Sequence, residues 1–286
     1  MKQTTPSVPK VALLGAGGKM GVRLAANLKR SRFRVAPVEV SAEGRQRLKE
    51  AVGLECVAVE DALQGARYVV LAVPDRMIGP ILGEIIGRIG SGAAVIVLDA
   101  AAPHAGRMPR RDDVTYFVVH PCHPPIFGDE TDPEPLRDHF GGVKAKQAIV
   151  CALMQGPESD YAACEEVARV LFAPVFRAHR CTVENMAVLE PAMSETVAGT
   201  FCMALRQAAD EAVRRGVPRE AAFDFMLGHL NIELTIAFQI TPGARFSDGA
   251  LQAIREAQAV IFREGWLGRV FDPEAIKAST RAICDG

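Results

Sequence analysis

The most informative stretch of this sequence for the fold is VALLGAGGKMGVRLAANLKR, residues 11–30. A short apolar run over 11–14 meets a cluster of glycines, and a helical pattern then continues through Leu24 and Leu28. This order predicts a strand, a tight turn and a helix. Glycines permit a close approach of the backbone to a ligand, and a helix N-terminus offers unpaired N–H groups to a pyrophosphate. The stretch therefore predicts a dinucleotide site at the start of an α/β domain.

The spacing of the glycines departs from the strict G-x-G-x-x-G pattern. Gly15 and Gly17 are followed by Gly21 with one extra residue in between. Gly15, Gly18 and Gly21 instead match a G-x-x-G-x-x-G variant. With either spacing, the residues expected to contact the cofactor are Gly15, Gly17, Gly18, Lys19, Met20 and Gly21.

An acidic residue at the end of the second expected strand bears on the choice of cofactor. A carboxylate at Glu39 can accept hydrogen bonds from the adenosine ribose and repel a 2′-phosphate. We therefore expect NAD rather than NADP. Arg45 and Arg47 follow and could bind a phosphate, although a solvated helix face is the simpler interpretation.

Asp75 follows another apolar run, in the stretch LAVPD. In open α/β sheets ligands bind beyond the C-terminal ends of the strands, where this residue is expected. Asp75 can therefore face the cofactor and the reacting groups, or it can cap the helix that follows. The sequence favours neither interpretation.

Apolar runs and helical patterns alternate over residues 1–181. Continuous apolar runs are typical of strands that are covered on both faces, and their alternation with helices indicates a mostly parallel sheet. The sequence therefore predicts a Rossmann-type domain. After the first strand, its further strands are expected at 33–40, near 57, and at 66–75, 93–103, 114–121, 145–157 and 174–178.

From residue 182 onward the expected structure is entirely helical. Thr182 is a candidate N-cap, and Gly216 ends the first long helical pattern. The long helices are apolar over much of their circumference, which suits burial against a second subunit. We therefore expect a helical substrate and dimerisation domain over 182–286, and a homodimer.

Composition excludes several classes of function. The 286 residues are 49% apolar and 23% charged, and the net charge of −1 lacks the basic excess of a nucleic-acid-binding protein. Seven cysteines without a C-x-x-C pair favour a reducing cytoplasm. The first ten residues, MKQTTPSVPK, read as a short flexible leader and not as a signal peptide, and no apolar run is long enough to span a membrane. A small-molecule function in the cytoplasm is the expectation.

Two histidines follow the apolar run at 114–119, in the stretch HPCHPP. His120 and His123 should project from the ligand-binding edge of the sheet, and proline restricts the backbone between them. An imidazole there can act as a base or as a metal ligand, or it can serve only as a hydrogen-bonding group. Cys122 has no partner cysteine in the sequence and is interpreted as a small apolar residue.

An acidic residue interrupts the apolar face of the first long helix. Glu190 and Ser194 share the helical spacing of Val197 and Phe201, so the carboxylate at 190 should need a partner. A metal ion, a substrate hydroxyl or an arginine would serve. Pro191 should kink the helix. Glu195 lies on another face, where it either meets a second subunit or is solvated.

Longer motifs carry a resemblance to a known family. LAVPD, LDAAAP, HPCHPPIFGDETD, LMQGPESDYA and LEPAMSETV occur in this order, and together with GAGGKMG and Glu39 they resemble the D-apionate oxidoisomerase family over nearly the whole chain. More distantly, the layout is similar to 6-phosphogluconate dehydrogenase and prephenate dehydrogenase. The lysine that 3-hydroxyacid dehydrogenases carry on their first long helix is absent from 183–215.

The resemblance implies a reaction of sugar-acid catabolism, the NAD-dependent conversion of D-apionate to 3-oxo-isoapionate. Hydride leaves C2 for NAD, and a hydroxymethyl group then migrates from C3 to C2 in an α-ketol shift. One divalent ion chelating both oxygens would assist both steps. Two alternatives remain: a dehydrogenase of another polyhydroxy acid without rearrangement, and a non-catalytic NAD-sensing module.

The site residues follow from this chemistry as a hypothesis. We expect His120 and Glu190 to hold the divalent ion, because the sheet edge should meet the kinked helix there. His123 or Glu195 is then the expected proton acceptor, with Asp75 near the reacting groups. The expected partners are a small sugar acid and a second copy of the chain, with neither nucleic acid nor a membrane.

Overall fold

A computed structural model describes residues 8–286, so the first seven residues of the expected leader lie outside the described part. The sheet has seven strands in the order β2-β1-β3-β4-β5-β6-β7. The strands are β1 (Lys10–Leu14), β2 (Arg34–Val38), β3 (Tyr68–Leu71), β4 (Ala94–Val97), β5 (Thr115–Pro121), β6 (Gln147–Gln155) and β7 (Val175–Arg180).

The helices form two groups along the chain, one interspersed with the strands and one that follows the sheet. Those up to residue 187 are α1 (Lys19–Lys29), α2 (Ala42–Val52), α3 (Val59–Leu63), α4 (Asp75–Ile85), α5 (Ala101–His104), α6 (Pro133–Leu136), α7 (Tyr161–Leu171) and α8 (Val183–Ala187). A π-helical segment, Val188–Gly199, then leads to α9 (Thr200–Arg214), α10 (Arg219–Ala237), α11 (Asp248–Ile261), α12 (Trp266–Val270) and α13 (Pro273–Asp285).

The sheet is parallel from β2 to β5, and β6 pairs antiparallel with β5. β7 is parallel to β6. Side chains from the central strands are fully buried, among them Val11, Val70, Ile96 and Phe117. This burial on both faces explains the continuous apolar runs. The predicted fold class, a mostly parallel Rossmann-type sheet followed by helices, is confirmed.

The strand expected near residue 57 is not formed. Residues 53–58 have no regular structure, and α3 begins directly after them. The segment passes β2, an edge strand, with a hydrogen bond from the Val57 N–H to the Pro37 carbonyl at 2.9 Å. Pro37 has no N–H to return, so a ladder cannot continue along this edge.

The chain divides into two units. The first runs to Ala187 and also includes Lys277–Gly286, and the second covers Val188–Ile276. The sequence places the boundary at 181/182 and assigns the C-terminal residues to the helical domain. The difference arises because α8 buries Val183, Met186 and Ala187, and because Thr280 of α13 is buried and hydrogen-bonded to His104 Nδ1 at 3.0 Å.

The second unit is all helical, as expected. Few of its own side chains are buried, whereas many large apolar ones are exposed, among them Phe225, Phe238 and Val260. The expected long helix is interrupted by the π-helical segment, which contains Pro191. Over residues 8–286, every helix falls short of the length and apolarity that a bilayer-spanning helix requires.

Candidate active site

The turn between β1 and α1 has the geometry of a dinucleotide-binding loop. Gly15 has φ +77°, and a Cβ there would lie 2.3 Å from the Ala72 carbonyl oxygen. A Cβ on Gly21 would lie 2.0 Å from the Gly15 carbonyl oxygen. Both positions therefore require glycine. Gly15 needs it for its positive φ and for the close approach of the backbone, and Gly21 needs it because a side chain would have no room. Gly18 is the N-cap of α1.

A cavity of about 360 Å³ opens beside this loop. It lies within the first unit, at the C-terminal ends of the strands, where ligands bind in open α/β sheets. The expected cofactor residues Gly18, Lys19, Met20 and Asp75 all line it. The remaining lining residues are Ala72, Val73, Pro74, Ile78, Leu98 and Asp99.

Glu39 is held by the backbone of the glycine loop and of its own turn. Its Oε2 accepts a hydrogen bond from the Gly17 N–H at 3.0 Å, and its Oε1 accepts one from the Ser41 N–H at 2.9 Å. The carboxylate is thus fixed at the edge of the loop, where an adenosine ribose is expected.

The two arginines after Glu39 do more than cover a solvated face. Both are exposed, yet Arg45 Nε donates to the Glu39 carbonyl at 2.7 Å. Arg47 Nη1 donates to the Gly17 carbonyl at 2.5 Å. Both arginines thus lie on a solvated face, as expected, and in addition bind backbone carbonyls at the glycine loop and at the end of β2.

Asp75 is the first residue of α4, and the N-cap of that helix is Pro74. The residue lies in the first turn, where a carboxylate is favoured by the helix dipole, and it also lines the cavity. Asp75 is therefore not the N-cap of α4, and its place on the cavity wall is compatible with the interpretation that it faces the cofactor.

His120 lies beside an aspartate that the sequence analysis did not single out. Its Nε2 is 3.6 Å from Asp99 Oδ2, and the two side chains are 22% and 19% exposed. Asp99 follows β4 and His120 is near the end of β5, which are neighbouring parallel strands. The other oxygen of Asp99 accepts a hydrogen bond from the Ala101 N–H at 2.7 Å. Its position just after a parallel strand, like that of Asp75, was the signal that could have found it.

His123 lies close to His120, with ring centroids 6.1 Å apart. Its backbone has φ +60°, which is uncommon for a residue other than glycine. Its Nδ1 lies 2.9 Å from the Phe140 carbonyl oxygen, which can only accept a hydrogen bond. Nδ1 therefore carries the proton, and Nε2 of the neutral ring is the basic nitrogen.

The two candidate glutamates belong to the second unit. Glu190 is half-buried and Glu195 is exposed, both within the π-helical segment. The apolar face expected from the spacing of an α-helix is not continuous, because Ser194 and Ala204 are exposed. A π-helical segment has more residues per turn than an α-helix, so the 3.6-residue spacing does not apply across it.

Two family models match the chain. Residues 128–284 match phosphogluconate dehydrogenase (decarboxylating) C-term, and residues 10–103 match NADP oxidoreductase coenzyme F420-dependent. The first match spans β6, β7 and the helical part, and the second spans β1 to β4.

Full-length relatives are also similar. The D-apionate oxidoisomerase of Rhizobium rhizogenes is 55% identical over 96% of this chain and 98% of the relative. That of Cupriavidus necator is 54% identical, with 96% and 99% covered.

Solved structures share the fold. A semialdehyde dehydrogenase NAD-binding protein from Cupriavidus necator, in complex with calcium and NAD, superposes with a TM-score of 0.94. It is 54% identical and covers 96% of this chain and 99% of its own. An NADH-preferring ketol-acid reductoisomerase from an uncultured archean has a TM-score of 0.68 at 17% identity, covering 97% and 82%, which is a likeness of fold alone.

Proposed function

This chain belongs to the D-apionate oxidoisomerase family, and we propose that it converts D-apionate to 3-oxo-isoapionate with reduction of NAD. The observation that carries the proposal is the 54–55% identity to two relatives of that name over nearly the full length of both chains. The cavity beside the glycine loop supports a reaction site at this edge of the sheet.

The proposed cofactor site is the loop between β1 and α1 together with the end of β2. Gly15, Gly17, Gly18, Lys19, Met20 and Gly21 would surround the pyrophosphate, Glu39 would bind the adenosine ribose, and Asp75 would border the cavity. Support comes from the close backbone approach at Gly15 and from the fixed Glu39 carboxylate. The Cupriavidus necator protein that is 54% identical was solved with NAD.

The proposed metal ligands are His120 and Glu190, to which we add Asp99. Within the first unit, His120 and Asp99 lie side by side where β4 and β5 end, and Glu190 is the carboxylate that the sequence predicts as a further ligand. The 3.6 Å between His120 Nε2 and Asp99 Oδ2 exceeds an ordinary hydrogen bond and suits two ligands that approach one ion. One imidazole and two carboxylates fit a divalent cation of intermediate hardness. The solved relative was crystallised with calcium.

A bound divalent ion would polarise the C2 oxygen and lower the pKa of the C3 hydroxyl. The residues of the chain supply the proton transfers. In the oxidation, C2 gives a hydride to NAD and its hydroxyl gives a proton to a base. In the rearrangement, the C3 hydroxyl loses a proton, the hydroxymethyl group moves from C3 to C2 with its bonding electrons, and the C2 oxygen takes up a proton.

His123 is our first candidate for that base, and Glu195 is the second. The hydrogen bond from His123 Nδ1 to the Phe140 carbonyl leaves Nε2 as the proton acceptor and fixes the orientation of the ring. The left-handed backbone at His123 adds local strain, which is often found at functional sites.

We further propose a homodimer built on the second unit and a cytoplasmic location. Large apolar side chains such as Phe225 and Phe238 are exposed in the single chain, and a second copy would bury them. All seven cysteines are free thiols, which supports a reducing compartment. The proposed partners remain a sugar acid and a second copy of the chain, without nucleic acid or membrane.

The function is tested by following NADH absorbance with D-apionate and a panel of linear aldonates, with and without a chelator. We expect NADH formation with D-apionate and its loss on chelation. Turnover of a linear aldonate alone would instead support an ordinary dehydrogenase. Binding of NAD without turnover of any sugar acid would support an NAD-sensing module.

A further inference from the structure

The first turn of α2 lies directly against the glycine loop. A Cβ on Gly17 would lie 2.4 Å from the carbonyl carbon and oxygen of Gly44, so the two backbones are in contact. Gly44 is the third residue of α2, is buried, and has no positive φ. Its lack of a side chain is therefore a matter of space and not of conformation.

The space at Gly44 is occupied by Glu39. A Cβ on Gly44 would lie 2.7 Å from both Cγ and Cδ of Glu39, and equally close to Ser41 Oγ. Real Cβ atoms do not approach other atoms this closely, so an alanine would have to displace the glutamate side chain. Ser41 is the N-cap of α2 and accepts a hydrogen bond from the Gly44 N–H at 3.0 Å.

Glu39 in turn has its carboxylate fixed by two backbone donors, the N–H groups of Gly17 and Ser41. A carboxylate can accept about four hydrogen bonds. Two acceptor positions remain for the two hydroxyls of an adenosine ribose. Displacement of the side chain would remove both the ribose contacts and the negative charge that repels a 2′-phosphate.

We propose that Gly44 is a positioning residue for coenzyme specificity, because it leaves the room in which Glu39 is held on the Gly17 amide. The inference rests on the proposed use of NAD. Arg45 and Arg47 strengthen it, because their guanidinium groups are hydrogen-bonded to the carbonyls of Glu39 and Gly17. Once the carboxylate is displaced, two positive charges remain close to the expected position of a 2′-phosphate.

The test is Gly44→Ala in the full-length protein, with dissociation constants for NAD and NADP measured by calorimetry. Loss of a hydrogen bond to a charged group corresponds to about a tenfold change in affinity. We expect NAD to bind about tenfold more weakly, and the preference for NAD over NADP to fall by at least that factor. With saturating NAD, kcat should stay within about twofold of wild type, because Gly44 contacts no reacting group.

The matched control is Gly83→Ala, which also replaces a helical glycine but meets no atom within 4 Å. Ser41→Ala removes the cap of α2 without touching the Glu39 side chain. Both should keep the coenzyme preference. Glu39→Asp combined with Gly44→Ala should recover part of the preference for NAD that Gly44→Ala loses. Aspartate is one methylene shorter than glutamate, which relieves the clash with the added Cβ.

The inference would be overturned if Gly44→Ala weakened the binding of NAD and of NADP equally, or if the preference for NAD over NADP stayed unchanged. If Gly44→Ala does not fold, the double variant with Glu39→Asp is measured in its place. A preference for NAD over NADP equal to that of Glu39→Asp alone supports the inference. Weak binding of both coenzymes overturns it. Since these are binding measurements, a failure to turn over D-apionate would refute the proposed function and leave this test intact.

Discussion

His120 Nε2 lies 3.6 Å from Asp99 Oδ2, where the neighbouring parallel strands β4 and β5 end. Parallel strands bring residues that are distant in sequence to one edge of the sheet. The backbone N–H of Ala101 holds the other carboxylate oxygen of Asp99, so the oxygen facing His120 has a defined orientation. This pair is the structural basis of the proposed metal site.

Asp99→Asn tests that pair. The amide oxygen can keep the hydrogen bond from the Ala101 N–H, whereas the negative charge is lost. We expect divalent-metal affinity at least about tenfold weaker and turnover reduced with it. The measurements are metal content after dialysis and NADH formation. The control is Asp112→Asn, an aspartate whose side chain is 80% exposed. Metal binding equal to wild type in Asp99→Asn would exclude Asp99 as a ligand.

His123→Asn tests the proposed base. Asparagine tolerates a positive φ and can donate to the Phe140 carbonyl, so the local backbone should be preserved. It cannot accept a proton at neutral pH. We expect kcat to fall by about a hundredfold or more with an unchanged unfolding temperature.

Glu195→Gln is the companion variant, because Glu195 is the second candidate for the same role. If the histidine is the base, Glu195→Gln should keep most of the wild-type kcat. A large loss in Glu195→Gln together with near-normal turnover in His123→Asn would transfer the role to the glutamate.

The homodimer is tested on α11, where Val260 is 86% and Ile261 is 68% exposed in the single chain. A charge introduced into a buried apolar interface carries a large desolvation cost. We expect the wild type to sediment as a dimer, and Val260→Asp with Ile261→Asp to shift it toward the monomer. Arg255→Gln, an exposed change on the same helix, is the control. A wild-type monomer at micromolar concentration would contradict the proposal.

Two buried thiols should make stability fall at alkaline pH. Burial raises the pKa of Cys151 and of Cys164 from 9.0 to about 12. The folded chain therefore retains these protons to about pH 12, whereas the unfolded chain loses them near pH 9.0. The stabilisation is complete below pH 9.0 and is lost as the pH rises toward 12.

Urea denaturation from pH 7 to pH 11 measures this effect. Cys151→Ala with Cys164→Ala should be less stable at pH 7 and should show a flatter decline above pH 9. The exposed Cys202→Ala should leave both the stability and its pH dependence unchanged. An identical alkaline slope in the double variant and the wild type would show that other groups cause the decline.

Local patterns predicted the parts of the fold that depend on neighbouring residues. The glycine turn at Gly15, the apolar strands and the helical second unit follow from periodicity and from glycine chemistry. The strand expected near residue 57 does not form, because its neighbour in the structure is Pro37 of β2, which has no N–H to donate. The local sequence around residue 57 does not reveal this neighbour. Lys277–Gly286 belongs to the first unit, where Thr280 contacts His104, and sequence order does not reveal this contact.

The candidate site was predictable to the extent that its residues follow strands. His120 and Asp75 lie at the C-terminal edge of the sheet, as their positions relative to apolar runs indicated, and the ring of His123 lies near that of His120. Asp99 follows a strand in the same way, but its stretch LDAAAP carried only the family resemblance and indicated no chemical role for the aspartate. The helix face on which Glu190 lies was not predictable, because the π-helical segment departs from the 3.6-residue spacing of an α-helix.

The most direct test of the proposed reaction is the carbon skeleton of its product. D-apionate labelled with ¹³C at C3 is incubated with the wild-type protein and NAD, and the product is analysed by NMR. An oxidoisomerase gives a ketone signal at the labelled carbon, because the hydroxymethyl group has left C3 for C2. A labelled carbon that keeps its hydroxyl and both hydroxymethyl groups, beside a new ketone at C2, would contradict the proposed rearrangement.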